Sequence, residues 1–255
     1  MRRAGVIHEE VLERIAPTLL HMSVSEAVLC ADVHRAFLSH GAMGISRFNQ
    51  IHGEDVLGIC SFSENGLRIG AFDGPDGIAG TCLAMPSIGD NNRLLRSGDL
   101  VLLDIPSGID GYHTDKSVVF FYGDLDQHPA AEKIRRAYDF CARFEQTVAE
   151  EMVAGAIPEE IFMSLWETVP EEFASGFMNG GKFLGHSIGL VMDEPPVLAR
   201  GFKSPLMPGM TFAIEPKIAL PGIGLVGTEN TYEIMPSGAA RSLTGHILDL
   251  TCIKN

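Results

Sequence analysis

Two stretches of this chain repeat one pattern. LRSGDLVLLD at 95–104 and LMPGMTFAIE at 206–215 each begin with Leu and place a Gly three residues on. Each then runs through apolar, strand-type residues to an acid six residues after that Gly. A Gly-rich turn and a second acid follow in both, Asp115 after Asp104 and Glu229 after Glu215. A duplicated unit of strand, acid, turn and acid predicts two related halves whose strands share a sheet. Their four carboxylates would meet at a pseudo-two-fold centre.

Helical patterns precede the unit in each half. An amphipathic stretch over 6–20 comes first, then a helix opened by a Ser23-x-x-Glu26 capping box and closing near Gly41. In the second half, apolar residues recur at helical spacing over 129–153, and another stripe follows Pro158, which suits a first-turn position. Short apolar runs at 99–105, 117–121, 210–214 and 228–234 read as strands between Gly- and Pro-rich turns. The expected class is mixed α/β of the α+β type. No stretch is long or polar enough to be a linker, so a single domain over 1–255 is expected.

Composition narrows the partners. With 19 basic against 33 acidic residues, net charge −14, the chain lacks the clustered Lys and Arg that nucleic acid or an anionic membrane requires. Five cysteines, with no Cys-x-x-Cys pair, argue against a disulfide framework or zinc ribbon and fit a reducing, cytoplasmic setting. No apolar run reaches the ~18 residues of a membrane span, and the charged start is not that of a secretory signal.

The acids carry the chemistry. A carboxylate inside an apolar strand is costly unless something compensates its charge. Taken singly, each of the four reads as a strand cap or an ion-pair partner. Basic residues are scarce around them, however, with Lys116 and Lys217 the immediate neighbours, so a converging set calls for metal ions. His186, between Gly185 and Gly189 in FLGHSIGLVMDEPP, adds an imidazole, although a lone histidine in an apolar stretch also suits a core. Four carboxylates and one imidazole suit two divalent ions, Mn²⁺, Co²⁺ or Fe²⁺, with Zn²⁺ also compatible. In such pairs, carboxylates bridge ions ~3.5–4 Å apart and a shared water becomes nucleophilic near neutral pH.

DIPSGIDGYHTD, GHSIG followed by DEPP, MTFAIEP and VGTENT occur in that order. Together they resemble the methionine aminopeptidase, aminopeptidase P, prolidase and creatinase family, over essentially the whole chain and closest to the prolidase-like branch. The resemblance implies a pita-bread fold, a pseudo-two-fold curved antiparallel sheet with helices packed outside, and usually a homodimer. It implies that Asp104 chelates one metal, that His186 and Glu215 hold the other, and that Asp115 and Glu229 bridge both. Glu215 would also carry the proton of the bridging water. The implied reaction is hydrolysis of a short peptide after its first residue, often before proline. The N-terminal creatinase-type domain common to such Xaa-Pro peptidases is expected to be absent.

Several positions depart from that pattern. Ser87 stands where the peptidases carry a histidine after A-x-P, and Asp193 replaces the second histidine, seven residues after His186. Asp193 is read either as a turn carboxylate or as a catalytic-site acid facing a cationic substrate group such as a free α-amine. Ser117-Val118 replaces the usual Thr-Arg, and His113 resembles a pocket histidine of the methionine aminopeptidases. Substrate contacts are therefore expected from His113, Ser87 and Asp193. Two alternatives stay open: a creatinase-like or dimethylsulfoniopropionate lyase-like reaction on a small molecule at the same centre, and an inactive binding module. All five ligand types are present, which sets the chain apart from modules that have lost them.

Overall fold

The computed structural model describes residues 1–49, 53–69, 74–78, 80, 89–246 and 249–254. Its strands gather mainly in one nine-stranded sheet, labelled here in chain order. They are β1 (Ile59–Phe62), β2 (Asp99–Asp104), β3 (Lys116–Tyr122), β4 (Gly185–Ser187), β5 (Glu194–Val197), β6 (Thr211–Ile214), β7 (Glu229–Glu233), β8 (Arg241–Ser242) and β9 (Thr251–Ile253). The order across the sheet is β1-β2-β3-β7-β6-β4-β5, with β8 on β7 and β9 on β3. All pairings are antiparallel except that of β9 with β3.

That order is the duplicated unit made visible. In each half a strand ends on an acid, a small hairpin projects, and a second acid leads into the next strand. The first hairpin pairs Ser107–Ile109 with Tyr112–Thr114, and the second pairs Lys217–Leu220 with Gly224–Gly227. The halves join where β3 meets β7, with Glu229 opposite Ser117 and Asn230 opposite Lys116. The pseudo-two-fold arrangement predicted from the repeat is present.

Strand alternation serves two cores. Leu100 and Leu102 of β2, with Val119 and Phe121 of β3, pack with residues of helices α3 (Ala131–Glu151) and α4 (Pro158–Trp166). Val101 and Leu103, with Val118, Phe120 and Tyr122, pack instead with the N-terminal helices. Period-two side-chain direction explains the division, since neighbouring residues of a strand face opposite sides. The N-terminal helices are α1, a continuous run of Arg2–His8, a wider π-type stretch Glu9–Ile15 and Ala16–Leu19, and α2, Glu26–Ser39. Phe140 and Phe144 of α3, Trp166 of α4 and Phe177 cluster with mostly edge-on rings whose contacting centroids are 5.1–6.1 Å apart.

One local expectation is corrected. The cap of α2 is Ser25, whose Oγ accepts from the Val28 amide at 3.2 Å, and not Ser23. Glu26 does not reach back to a cap. It is buried and accepts from the Phe62 and Asp90 amides and from Asn65 Nδ2, so it ties α2 to β1 and the loops beside it. Three donors are a better exchange for its charge than a solvent-facing capping box. Among the described residues, no helix is long and apolar enough to cross a membrane, and Cys30, Cys60, Cys141 and Cys252 are free thiols.

Candidate metal centre

Strand register assembles the site. Asp104 closes β2 opposite Ser117, and Glu229 opens β7 opposite the same residue. Asp115 immediately precedes β3, Glu215 immediately follows β6, and His186 is the middle residue of β4, paired with Ala213. Gly185 lets that pairing close, because a Cβ there would lie 2.2 Å from the Ala213 carbonyl oxygen. The five side chains line one cavity together with Asp76, Asp193, Phe48, Ile59 and Met192. Donor atoms of Asp115, His186 and Glu229 lie within 4.8 Å of one another, and so do those of Asp76, Asp104 and Glu215.

The surroundings hold these donors in place. Thr231 clamps the backbone of Asp115, accepting from its amide at 2.7 Å and donating to its carbonyl at 2.9 Å. Ser117 Oγ donates to Glu229 Oε2 at 2.6 Å. The Nδ1 atom of His186 lies 3.2 Å from the Ser187 carbonyl, which fixes the proton on that nitrogen and turns Nε2 toward the acids. There Nε2 lies 3.2 Å from Asp193 Oδ1 and 3.7 Å from Glu215 Oε1. An oxygen-rich donor set with one imidazole nitrogen, oriented by neighbouring hydrogen bonds, fits a divalent first-row ion.

Lys217 changes the charge arithmetic that the sequence suggested. It has no exposed surface, and its ammonium contacts Asp104 Oδ2 at 2.6 Å, Glu215 Oε2 at 2.9 Å and Glu229 Oε2 at 2.9 Å. Asp76 Oδ1 lies 3.9 Å away. The expected shortage of cations therefore does not hold at this point. Lys116, the other candidate, turns elsewhere, to Glu13, Asn230 and the His246 carbonyl.

Burial and crowding set the ionisation of the acids. Desolvation and the charge of Asp104 push Asp115, Glu229 and Asp76 well above the usual carboxylate range, and desolvation also raises Glu215. For Asp104, burial acts in the same direction, but the Lys217 charge and several hydrogen bonds overcome it and hold the group low. Burial alone would lower Lys217, yet the carboxylates around it raise it well above the ordinary lysine value. A cluster that binds protons this readily is one in which bound cations are strongly favoured.

The remaining sequence-derived candidates fare differently. Asp193 is at the cavity, with its side chain 39% exposed and its backbone in the left-handed region at φ 56°. His113 is buried but does not line the cavity. Its Nε2 accepts from the Arg47 amide at 3.3 Å and its own amide donates to the Gly189 carbonyl. Ser87 lies outside the described residues. Two site residues were not anticipated. Asp76 sits in a Gly-Pro-Asp-Gly turn, a setting that reads as solvent-facing, and Lys217 was visible only as the residue two places after Glu215.

Comparison with known proteins agrees with this geometry. The sequence profile of metallopeptidase family M24 matches residues 1–236. A protein named "Probable dipeptidase PepE" from Mycobacterium tuberculosis is 29% identical over 94% of this chain and 55% of its own length. An Xaa-Pro dipeptidase from Lactobacillus helveticus is 29% identical over 63% of this chain and 42% of its own length. The crystal structure of dipeptidase PepE from Mycobacterium ulcerans superposes with a TM-score of 0.79 at 23% identity, covering 100% of this chain and 59% of that one. This chain thus spans about half the length of the relatives it matches. The fold is the pita-bread architecture that the motifs implied.

Proposed function

The chain belongs to metallopeptidase family M24, and on that premise we propose that it is a metal-dependent Xaa-Pro peptidase, a dipeptidase or aminopeptidase that hydrolyses short peptides after the N-terminal residue. The observation that carries this reading is the convergence of Asp104, Asp115, His186, Glu215 and Glu229 on one cavity. This cluster, in our reading, is where divalent metal binds. Bound there, a divalent ion supplies the Lewis acidity that polarises a scissile carbonyl and acidifies water.

The chain's own residues do the rest. Glu215, raised by burial and facing His186, holds and returns the proton exchanged during hydrolysis. Asp193, at the open side of the cavity, takes the cationic α-amine of the substrate and so fixes which bond faces the metal. Phe48, Ile59 and Met192 provide an apolar wall against which a proline ring or first side chain can pack.

Chelator-stripped protein reloaded with Mn²⁺ or Co²⁺ is expected to cleave Xaa-Pro dipeptides, and chelator is expected to abolish that turnover. Asp193→Asn is expected to raise KM about tenfold with metal content intact, the loss of roughly 1.4 kcal/mol of amine binding. Metal-loaded protein with no turnover of any Xaa-Pro peptide would overturn the peptidase reading. It would redirect the search to C–N cleavage or β-elimination on small molecules.

A further inference from the structure

Two groups of donors surround the cavity, but they are not equivalent. The group of Asp115, His186 and Glu229 leaves the Asp115 carboxylate and the imidazole nitrogen facing the cavity, with no hydrogen bond or ion pair to Lys217 among those described. The group of Asp76, Asp104 and Glu215 already surrounds a cation. An ammonium has three donors, and Lys217 directs them at three carboxylate oxygens 2.6–2.9 Å away, one each from Asp104, Glu215 and Glu229.

The rest of the hairpin is built around this side chain. Lys217 is the first residue of its hairpin strand and pairs with Gly227. A Cβ on Gly227 would lie 2.7 Å from both Cα and Cγ of Lys217, so the aliphatic stem runs through space that only a glycine leaves open. Full burial of a lysine is tolerated only when its charge is paired, and here the partners are the very acids that would otherwise bind metal. A first-row ion sits about 2.0–2.2 Å from its carboxylate oxygens. It and an ammonium cannot share the space between the same three carboxylates.

We propose that the Lys217 ammonium permanently takes the place of one of two metal ions, so that this centre binds a single divalent ion, on Asp115, His186 and Glu229. The inference rests on the metallopeptidase reading above and replaces the pair of ions expected from the sequence with one ion and one fixed organic cation. Lys217 is in this account a positioning residue. It holds Asp104, Glu215 and one oxygen of Glu229 in place without touching substrate.

The test counts metal and does not depend on turnover. Full-length protein stripped with chelator and titrated with Mn²⁺ by calorimetry is expected to saturate at one equivalent, confirmed by elemental mass spectrometry. Its low-temperature electron paramagnetic resonance spectrum should be that of an isolated Mn²⁺. Lys217→Met keeps the stem and removes the charge. It is expected to bind two equivalents and to show the spectrum of a coupled pair. Wild-type protein holding two ions, or Lys217→Met still holding one, would overturn the proposal while leaving the metallopeptidase reading intact. Wild-type protein holding none would overturn both. The wild-type count decides alone if Lys217→Met does not fold.

Discussion

At the scale of single residues, the centre illustrates what a sequence discloses and what it conceals. Asp104, Asp115, Glu215 and Glu229 were legible because each sits at a fixed place in a strand-forming pattern, and strand register is what brings them together. Asp76 and Lys217 were not, because their positions depend on how a turn and a hairpin fold over the sheet, and no local period records that. His113 is buried at its hairpin and not among the cavity-lining residues, because strand parity says which residues share a face, not what a hairpin packs against. A buried histidine outside the centre allows a sharper prediction. His8 is wholly buried beside Phe37, and desolvation, with the nearby Lys116 charge, pushes its pKa down from 6.5 to about 3. Its folded pKa lies below its unfolded value, so the unfolded chain takes up the proton first. Stability linked to His8 is complete above pH 6.5 and is lost as pH falls toward 3. By pH 5 the linked loss amounts to about 2 kcal/mol. Urea midpoints measured from pH 7 to 5 should therefore fall more steeply for wild type than for His8→Leu. Parallel curves would count against it.

Among the elements, the four central strands β2, β3, β6 and β7 were read to within a residue or two, because apolar runs and Gly or Pro punctuation bound them, whereas the short strands β1, β4, β5, β8 and β9 carry too few residues to show a period. The helices were found too, but the start of α2 was placed on the wrong serine. A capping box is a statement about one side chain turning back, and Glu26 had stronger partners in β1 and the turn that follows it. Strand β4 is the element on which the imidazole depends, and its closeness to β6 is set by Gly185. With a Cβ 2.2 Å from the Ala213 carbonyl, Gly185→Ala forces the two strands apart. We expect a loss of ~3 kcal/mol in urea denaturation and weaker metal binding, since His186 travels with its strand. Gly189→Ala is the control. Its Cβ meets only the Glu194 carboxylate, at 3.0 Å, at the far end of a flexible side chain, and it should fold normally.

Across the whole molecule, the proposed metal binding would be linked to the fold, because no single element carries a complete donor set. Metal that binds only the folded chain, present at a hundred times its Kd, stabilises by about 2.7 kcal/mol. For a chain of this size that corresponds to a rise in Tm of about 5–10 °C. The rise should disappear on adding chelator and in Asp115→Ala, which loses a donor common to either metal arrangement. A chelator-insensitive Tm with metal demonstrably bound would mean that the donors lie outside the cooperative unit.

The meeting of β3 with β7 carries one more consequence. Up to that joint, the chain supplies Asp76, Asp104 and Asp115, all carboxyl groups. Beyond it, the chain supplies His186 and Lys217, the imidazole and the ammonium, along with Glu215 and Glu229. The two halves therefore stand to each other as partners in a complex do, one face carrying acids alone and the other carrying acids together with the Lys217 ammonium, which reaches across the joint to Asp104. The cleft is an interface folded into a single polypeptide. The metal and substrate proposed for it would be recognised between two surfaces that are never free to part.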